Sequence, residues 1–206
     1  MTTRVLVAAM VLASAVIRAD PPINYAGERM AFAASKDYDA YGLQAVCYTL
    51  LKEYRDLATN SKASVAEINR PLQELLRIYP LGIQPNLAVA EFLEYVARNV
   101  DPKERNSDQT KALLDIASAK RKKAADILAS IEASGDGNST GHALVVINIM
   151  EELAVLESRG LREVKQSLFG KEGKYFDEIV ADNKDGVQSS VYFDVSGFYR
   201  GSTDSK

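Results

Sequence analysis

Five carboxylates in the last third of the chain, Glu151, Glu152, Asp177, Glu178 and Asp194, are the side chains from which an acid–base pair would be built. Such a pair needs two carboxyls facing one cleft, with environments that drive their pKa values apart. Nothing in their spacing brackets a cleft around two of them. No Gly-rich phosphate loop, nucleophile elbow or metal signature accompanies them. His142 and Cys47 are the single copies of their kinds. A thiol nucleophile needs a nearby base, so they form a dyad only if the fold brings them together. Cys47 lies between Val46 and Tyr48 and reads as a small core residue. His142 reads as the opening of a strand. One histidine also argues against a zinc site of familiar composition. No catalytic, cofactor-binding or metal-ligating residue is therefore assigned.

Two other groupings are candidate binding features. Asp136, Asn138 and Thr140 alternate in a turn closed by Gly141, as in the first half of a helix–loop calcium site. The twelfth position is Ile147, where that site requires a bidentate Glu. A tight helix-to-strand turn explains the same residues without an ion. Tyr38, Tyr41 and Tyr48 are spaced three and seven residues apart within an expected helix. Rings offer contact area and hydroxyls adaptable hydrogen bonds, so this face is the candidate partner-binding surface. The commoner use of such a stripe is helix–helix packing. Lys120 to Lys123 are four consecutive basic residues, which spread around a helix and make no one-sided phosphate site.

The elements that must position these residues are mostly helical up to residue 134. Helices are expected over 25–35 and 38–57 from apolar spacing. Ser64 and Glu67 have capping-box spacing. Pro71 predicts a kink or a fresh helix start, and Pro80 a stop. Another helix opens at Pro85. Asp101-Pro102-Lys103-Glu104 reads as the start of the next, whose stripe ends at Ile131 before Gly135. Antiparallel helices with Pro-marked loops predict a tetratricopeptide-like stack, although no repeat consensus recurs. The character then changes. Ala143 to Ile149 reads as a buried strand, 150–159 as a helix, and 174–181 and 187–196 as strands around an Asp185-Gly186 turn. The expectation is an α+β protein: an antiparallel helical body, residues 20–134, and a three-stranded βαββ unit, residues 135–200, with a flexible tail, residues 201–206.

Residues 1–19 read as a cleaved secretory signal, with Arg4 as the positive start and Val5 to Ile17 as the apolar region. Those 13 residues fall short of the ~20 that span a bilayer. No transmembrane span is expected after signal removal, and the expected location is periplasmic or secreted. Cutting there removes Arg4 and Arg18 and no acid, which moves the formal net charge from −3 to −5. A mildly acidic surface has no general affinity for nucleic acid.

Ile131, Ser134-Gly135-Asp136-Gly137, Ser139, Ala143, Val146-Ile147, Glu151-Glu152, Gly160, Gln166-Ser167-Leu168, Tyr175, Asp177 and Val191 to Val195 follow one another in a succession that resembles an uncharacterised bacterial family, domain-of-unknown-function family 4919. The resemblance spans residues 131–196, about a third of the chain. It implies a small exported protein of the bacterial envelope with a helical-repeat-like body, and it carries no catalytic residues. The residues and the resemblance together predict an exported, non-enzymatic module that binds a protein or peptide partner in the cell envelope. The alternatives are a small-ligand or ion-binding envelope protein and a carboxylate-based hydrolase.

Overall fold

A computed structural model describes residues 23–105 and 107–199. The expected signal segment, 1–19, and the polar tail, 201–206, lie outside the described residues. In chain order the described elements are α1 (Tyr25–Ala33), α2 (Ala40–Thr59), α3 (Val65–Ile78), α4 (Ile83–Arg98) and α5 (Asp108–Glu132). A single 3-10 turn (Thr140–His142), β1 (Leu144–Val145), α6 (Ile149–Ser158), β2 (Arg162–Lys171), β3 (Lys174–Asp182) and β4 (Gln188–Asp194) follow. The protein is of the α+β class. Its contacts group into two compact units, one built around Ala45–Ala125 and the other from Asn24–Gln44 together with the chain from Asp126 onward. No helix among the described residues is long and apolar enough to cross a membrane.

The helical unit follows from local signals. Ser64 Oγ accepts from the Glu67 amide at 3.2 Å, and Glu67 Oε2 accepts from the Ser64 amide at 2.7 Å, so the capping box starts α3. Pro71 does not restart the helix; it sits inside α3 and is buried with Ile68, Leu72 and Leu75. That apolar face offsets the lost donor. The turn into α4 is held by Asn86, whose Nδ2 donates to Pro80 O and Gly82 O at 3.0 and 2.7 Å. A Cβ on Gly82 would lie 2.6 Å from both Pro85 and Tyr79, so only glycine fits there. The expected start of the next helix at Asp101 is corrected. Asp101 Oδ1 instead accepts from the Lys103 amide at 2.9 Å in a local turn, and Ser107 Oγ accepts from Thr110 N at 3.2 Å at the head of α5. Arg121 pairs with both oxygens of Glu94 at 2.7 and 2.9 Å, joining α5 to α4.

In the other unit the sheet has four strands in the order β1-β4-β3-β2, not three. β1 is parallel to β4, and β4–β3 and β3–β2 are antiparallel. The strand that sequence reading omitted is β2, an edge strand of mostly exposed residues, four of its ten charged. The buried run at 143–149 gives only a two-residue strand. Asn148 caps α6, its Oδ1 accepting from the Glu151 amide at 3.1 Å, and so ends the extended segment early. Across the sheet Asp177 stands opposite Leu168 on β2 and Phe193 on β4. Directly paired residues share a face, so Leu168, Asp177, Ile179, Val191 and Phe193 lie on one side. Ile179, Val191 and Phe193 are buried there.

Candidate functional site

Hydrogen bonding sorts the five carboxylates. Glu151 is buried and receives Arg29 Nε at 2.8 Å and Arg29 Nη2 at 2.5 Å, with the Ile147 amide at 2.9 Å. Glu178 accepts from Ser190 Oγ at 2.7 Å and Tyr192 OH at 3.0 Å on the neighbouring strand. Asp194 receives Lys174 Nζ at 2.7 Å. Burial pushes the Asp194 carboxyl up, but Lys174 and the Ser196 donors together hold it below its usual value. These three are satisfied structural groups.

Glu152 and Asp177 are not. Glu152 is fully buried in the first turns of α6, and neither of its oxygens has a hydrogen-bond partner among the described residues. Its pKa is pushed up to about 9, first by burial and then by the neighbouring charges of Asp177, Glu163 and Glu151. A helix N-terminus favours an anion by ~0.3–2 kcal/mol. A shift from 4.5 to about 9 is worth roughly 6 kcal/mol, so burial wins and Glu152 is protonated at neutral pH. Asp177, on β3, is 5 % exposed. Its Oδ2 accepts from the Gln166 amide of β2, while Oδ1 has no partner among the described residues. Burial raises its pKa, Gln166 lowers it, and Glu163 raises it again.

Asp177 opens into a cavity of about 290 Å³ lined by Tyr41, Ile149, Gln166, Leu168, Asp177, Val195, Phe198 and Tyr199. All of these residues belong to one unit. Tyr41 packs edge-on against Phe198 with ring centroids 6.3 Å apart, and Tyr175 packs the same way on Tyr199 at 4.9 Å. The Val195 amide donates to Tyr175 O at 3.0 Å, which continues the β3–β4 pairing one residue past β4. The result is an open hollow of mixed polar and apolar lining, walled by aromatic and aliphatic residues with one side-chain amide and one carboxylate.

The tyrosines expected on one face are divided. Tyr38 precedes α2, is half-buried, donates its hydroxyl to Ile147 O and lies edge-on to Phe32. Burial pushes its pKa up to about 12. Tyr41 is 51 % exposed and Tyr48 69 % exposed, but they fall in different units. In the glycine turn, Asp136 Oδ1 accepts from the Asn138 amide at 2.8 Å, and Thr140 Oγ1 receives Lys171 Nζ at 3.1 Å. Among the described residues no cluster of three or more His, Cys, Asp or Glu is placed to hold a metal ion. Cys47 is buried and its pKa is pushed up to about 11 by that burial, whereas His142 is exposed. Cys47 should therefore resist iodoacetamide in the native state and react only on unfolding. Rapid labelling of the folded chain, read by mass spectrometry, would contradict that.

Sequence reading had Asp177 and Glu152 among its carboxylates but not Gln166, Leu168, Phe198 or Tyr199 as pocket walls. The period-two alternation of β2, which sends Gln166 and Leu168 to the same side as Asp177, was the available signal. A family model described as "Domain of unknown function (DUF4919)" matches residues 25–202. No curated protein and no solved structure matches the chain.

Proposed function

Since the chain belongs to the DUF4919 family, whose description assigns no activity, its own residues must carry the reading, and we propose that it is an exported, non-enzymatic binding module that takes a small organic group into the Tyr41–Asp177 pocket. One observation carries this: Asp177, 5 % exposed, is a wall residue of a cavity, and its Oδ1 has no partner among the described residues. A buried acceptor without a donor costs ~1–3 kcal/mol. A ligand that supplies the donor recovers that energy. The carboxylate pair does not favour hydrolysis. A general acid must reach the substrate, and Glu152 is fully buried and absent from the cavity wall.

A protein or peptide partner is the second reading, supported by the half-exposed Tyr41 ring at the same cavity. A partner would then place one side chain where a free ligand would sit. The expected signal segment at 1–19 supports a periplasmic or secreted setting for either.

A thermal-shift screen of charged and neutral compounds on the whole chain tests the pocket. A compound at a hundredfold excess over its Kd stabilises by ~2.7 kcal/mol, which is several degrees for a chain of this size. The variant Leu168→Trp, which fills the cavity from an exposed position, should remove that shift. Shifts of equal size in the variant, or none with any compound, would overturn the reading.

A further inference from the structure

We propose that the pocket selects a primary ammonium group, and that Asp177 is the residue that receives it. The proposal rests on the pocket reading above and sharpens it to one chemistry.

Three observations point the same way. First, the unpartnered atom is an acceptor: Asp177 Oδ1 offers lone pairs, and its sister Oδ2 already takes the Gln166 amide. A ligand group that completes Asp177 must donate a hydrogen bond. Second, among the described residues the charged groups acting on Asp177 and Glu152 are carboxyls. Glu163 on β2 acts on Asp177, and Asp177 and Glu163 both act on Glu152. Glu152 is neutral, so the attraction comes from Asp177 and Glu163: a cation is the entrant they favour, and a carboxylate or phosphate is repelled. Third, the remaining walls are aromatic and aliphatic: Tyr41, Phe198 and Tyr199 with Ile149, Leu168 and Val195. Aromatic faces attract ammonium groups, and aliphatic walls accept the methylene stem that carries one. A neutral alcohol would satisfy the acceptor but not the charge. A quaternary ammonium would satisfy the charge but has no hydrogen to give Oδ1. A primary ammonium satisfies both.

The chemistry is shared by a free alkylamine and by a lysine side chain, so the experiment carries both. Isothermal titration would use n-butylammonium chloride, tetramethylammonium chloride, 1-butanol and Nα-acetyl-lysine amide on the whole chain. n-Butylammonium should bind at least about tenfold more tightly than tetramethylammonium or 1-butanol, since a charged hydrogen bond is worth that much or more. Asp177→Asn, checked for an unchanged melting profile, should weaken n-butylammonium by about ten- to a hundredfold, and Leu168→Trp should block every probe. If Asp177→Asn fails to fold, Leu168→Trp and the order of the four probes still decide the matter. Tighter binding of the lysine derivative assigns the ammonium to a polypeptide partner, and equal or weaker binding assigns it to a free amine. Equal affinity for 1-butanol and n-butylammonium overturns the charge selection and leaves the pocket reading standing. Equal affinity for tetramethylammonium overturns the role of Oδ1. No saturable binding by any probe, together with a blank thermal-shift screen, overturns both readings.

Discussion

Replacing Arg29 with Ala should lower the unfolding free energy by about 3–5 kcal/mol. Arg29 and Glu151 are each only 2 % exposed. The guanidinium meets the carboxylate through two nitrogens and also donates to Val145 O at 2.9 Å and Ser130 Oγ at 3.3 Å. One side chain thus fastens α1 to the end of α5, to β1 and to α6. Truncating it leaves the Glu151 charge buried without its guanidinium, with the Ile147 amide still donating to it. The pair itself is not a large net gain, because desolvating two ions offsets most of their attraction. The double substitution Arg29→Met with Glu151→Met should therefore recover much of the loss. Urea unfolding of the three variants checks this. A single-variant loss below about 1 kcal/mol would show that the bond network holds no uncompensated charge.

Glu152 should make the protein less stable as pH rises. Its folded pKa, about 9, lies above the ordinary 4.5. Between those values the folded state holds a proton that the unfolded state has lost, so stability falls with rising pH across that window. Below pH 4.5 both states are protonated and the group contributes no slope. Between pH 4.5 and 7 the loss is roughly 3 kcal/mol, and it continues until the folded carboxyl ionises near pH 9. Glu152→Gln keeps the shape and removes the titration. The variant should show a flatter stability profile from pH 5 to 8 and exceed the parent at pH 8. Coincident profiles, measured by urea unfolding at several pH values, would mean that Glu152 is ionised in the folded chain.

The α+β class was legible because the two halves speak different periodicities. Helical spacing with Pro and Ser–Glu punctuation dominates before residue 134, and β-branched alternation follows it. The Ser64–Glu67 box and the Asp185-Gly186 turn worked from sequence because they are closed within a few residues: Asn183 Oδ1 takes the Asp185 and Val187 amides at 2.9 and 3.0 Å, and Gly186 holds φ at 76°. What failed was set at a distance. β2 is polar on its exposed edge, so it lacks the apolar signature of a strand and exists because β3 pairs with it. The run Ala143 to Ile149 was apolar enough for a long strand, but Asn148 turns it into a helix start. Likewise, the carboxylates were visible in sequence, while the selection among them was not. That selection depends on Arg29, Lys174, Ser190 and Tyr192, which satisfy three and leave Glu152 and Asp177 over.

The Arg29–Glu151 contact spans 122 positions of chain. Closing a loop of that length carries an entropic cost on the order of 4 kcal/mol, to be met before the contact returns anything. Helices α3 and α4, joined by a four-residue turn, have no such delay. On a ribosome, α1 emerges before the rest of its unit and must stay solvated until α6 has followed it out. The sheet unit is therefore completed last, by the return of the earliest segment to the latest, and its assembly sets the pace for the whole chain.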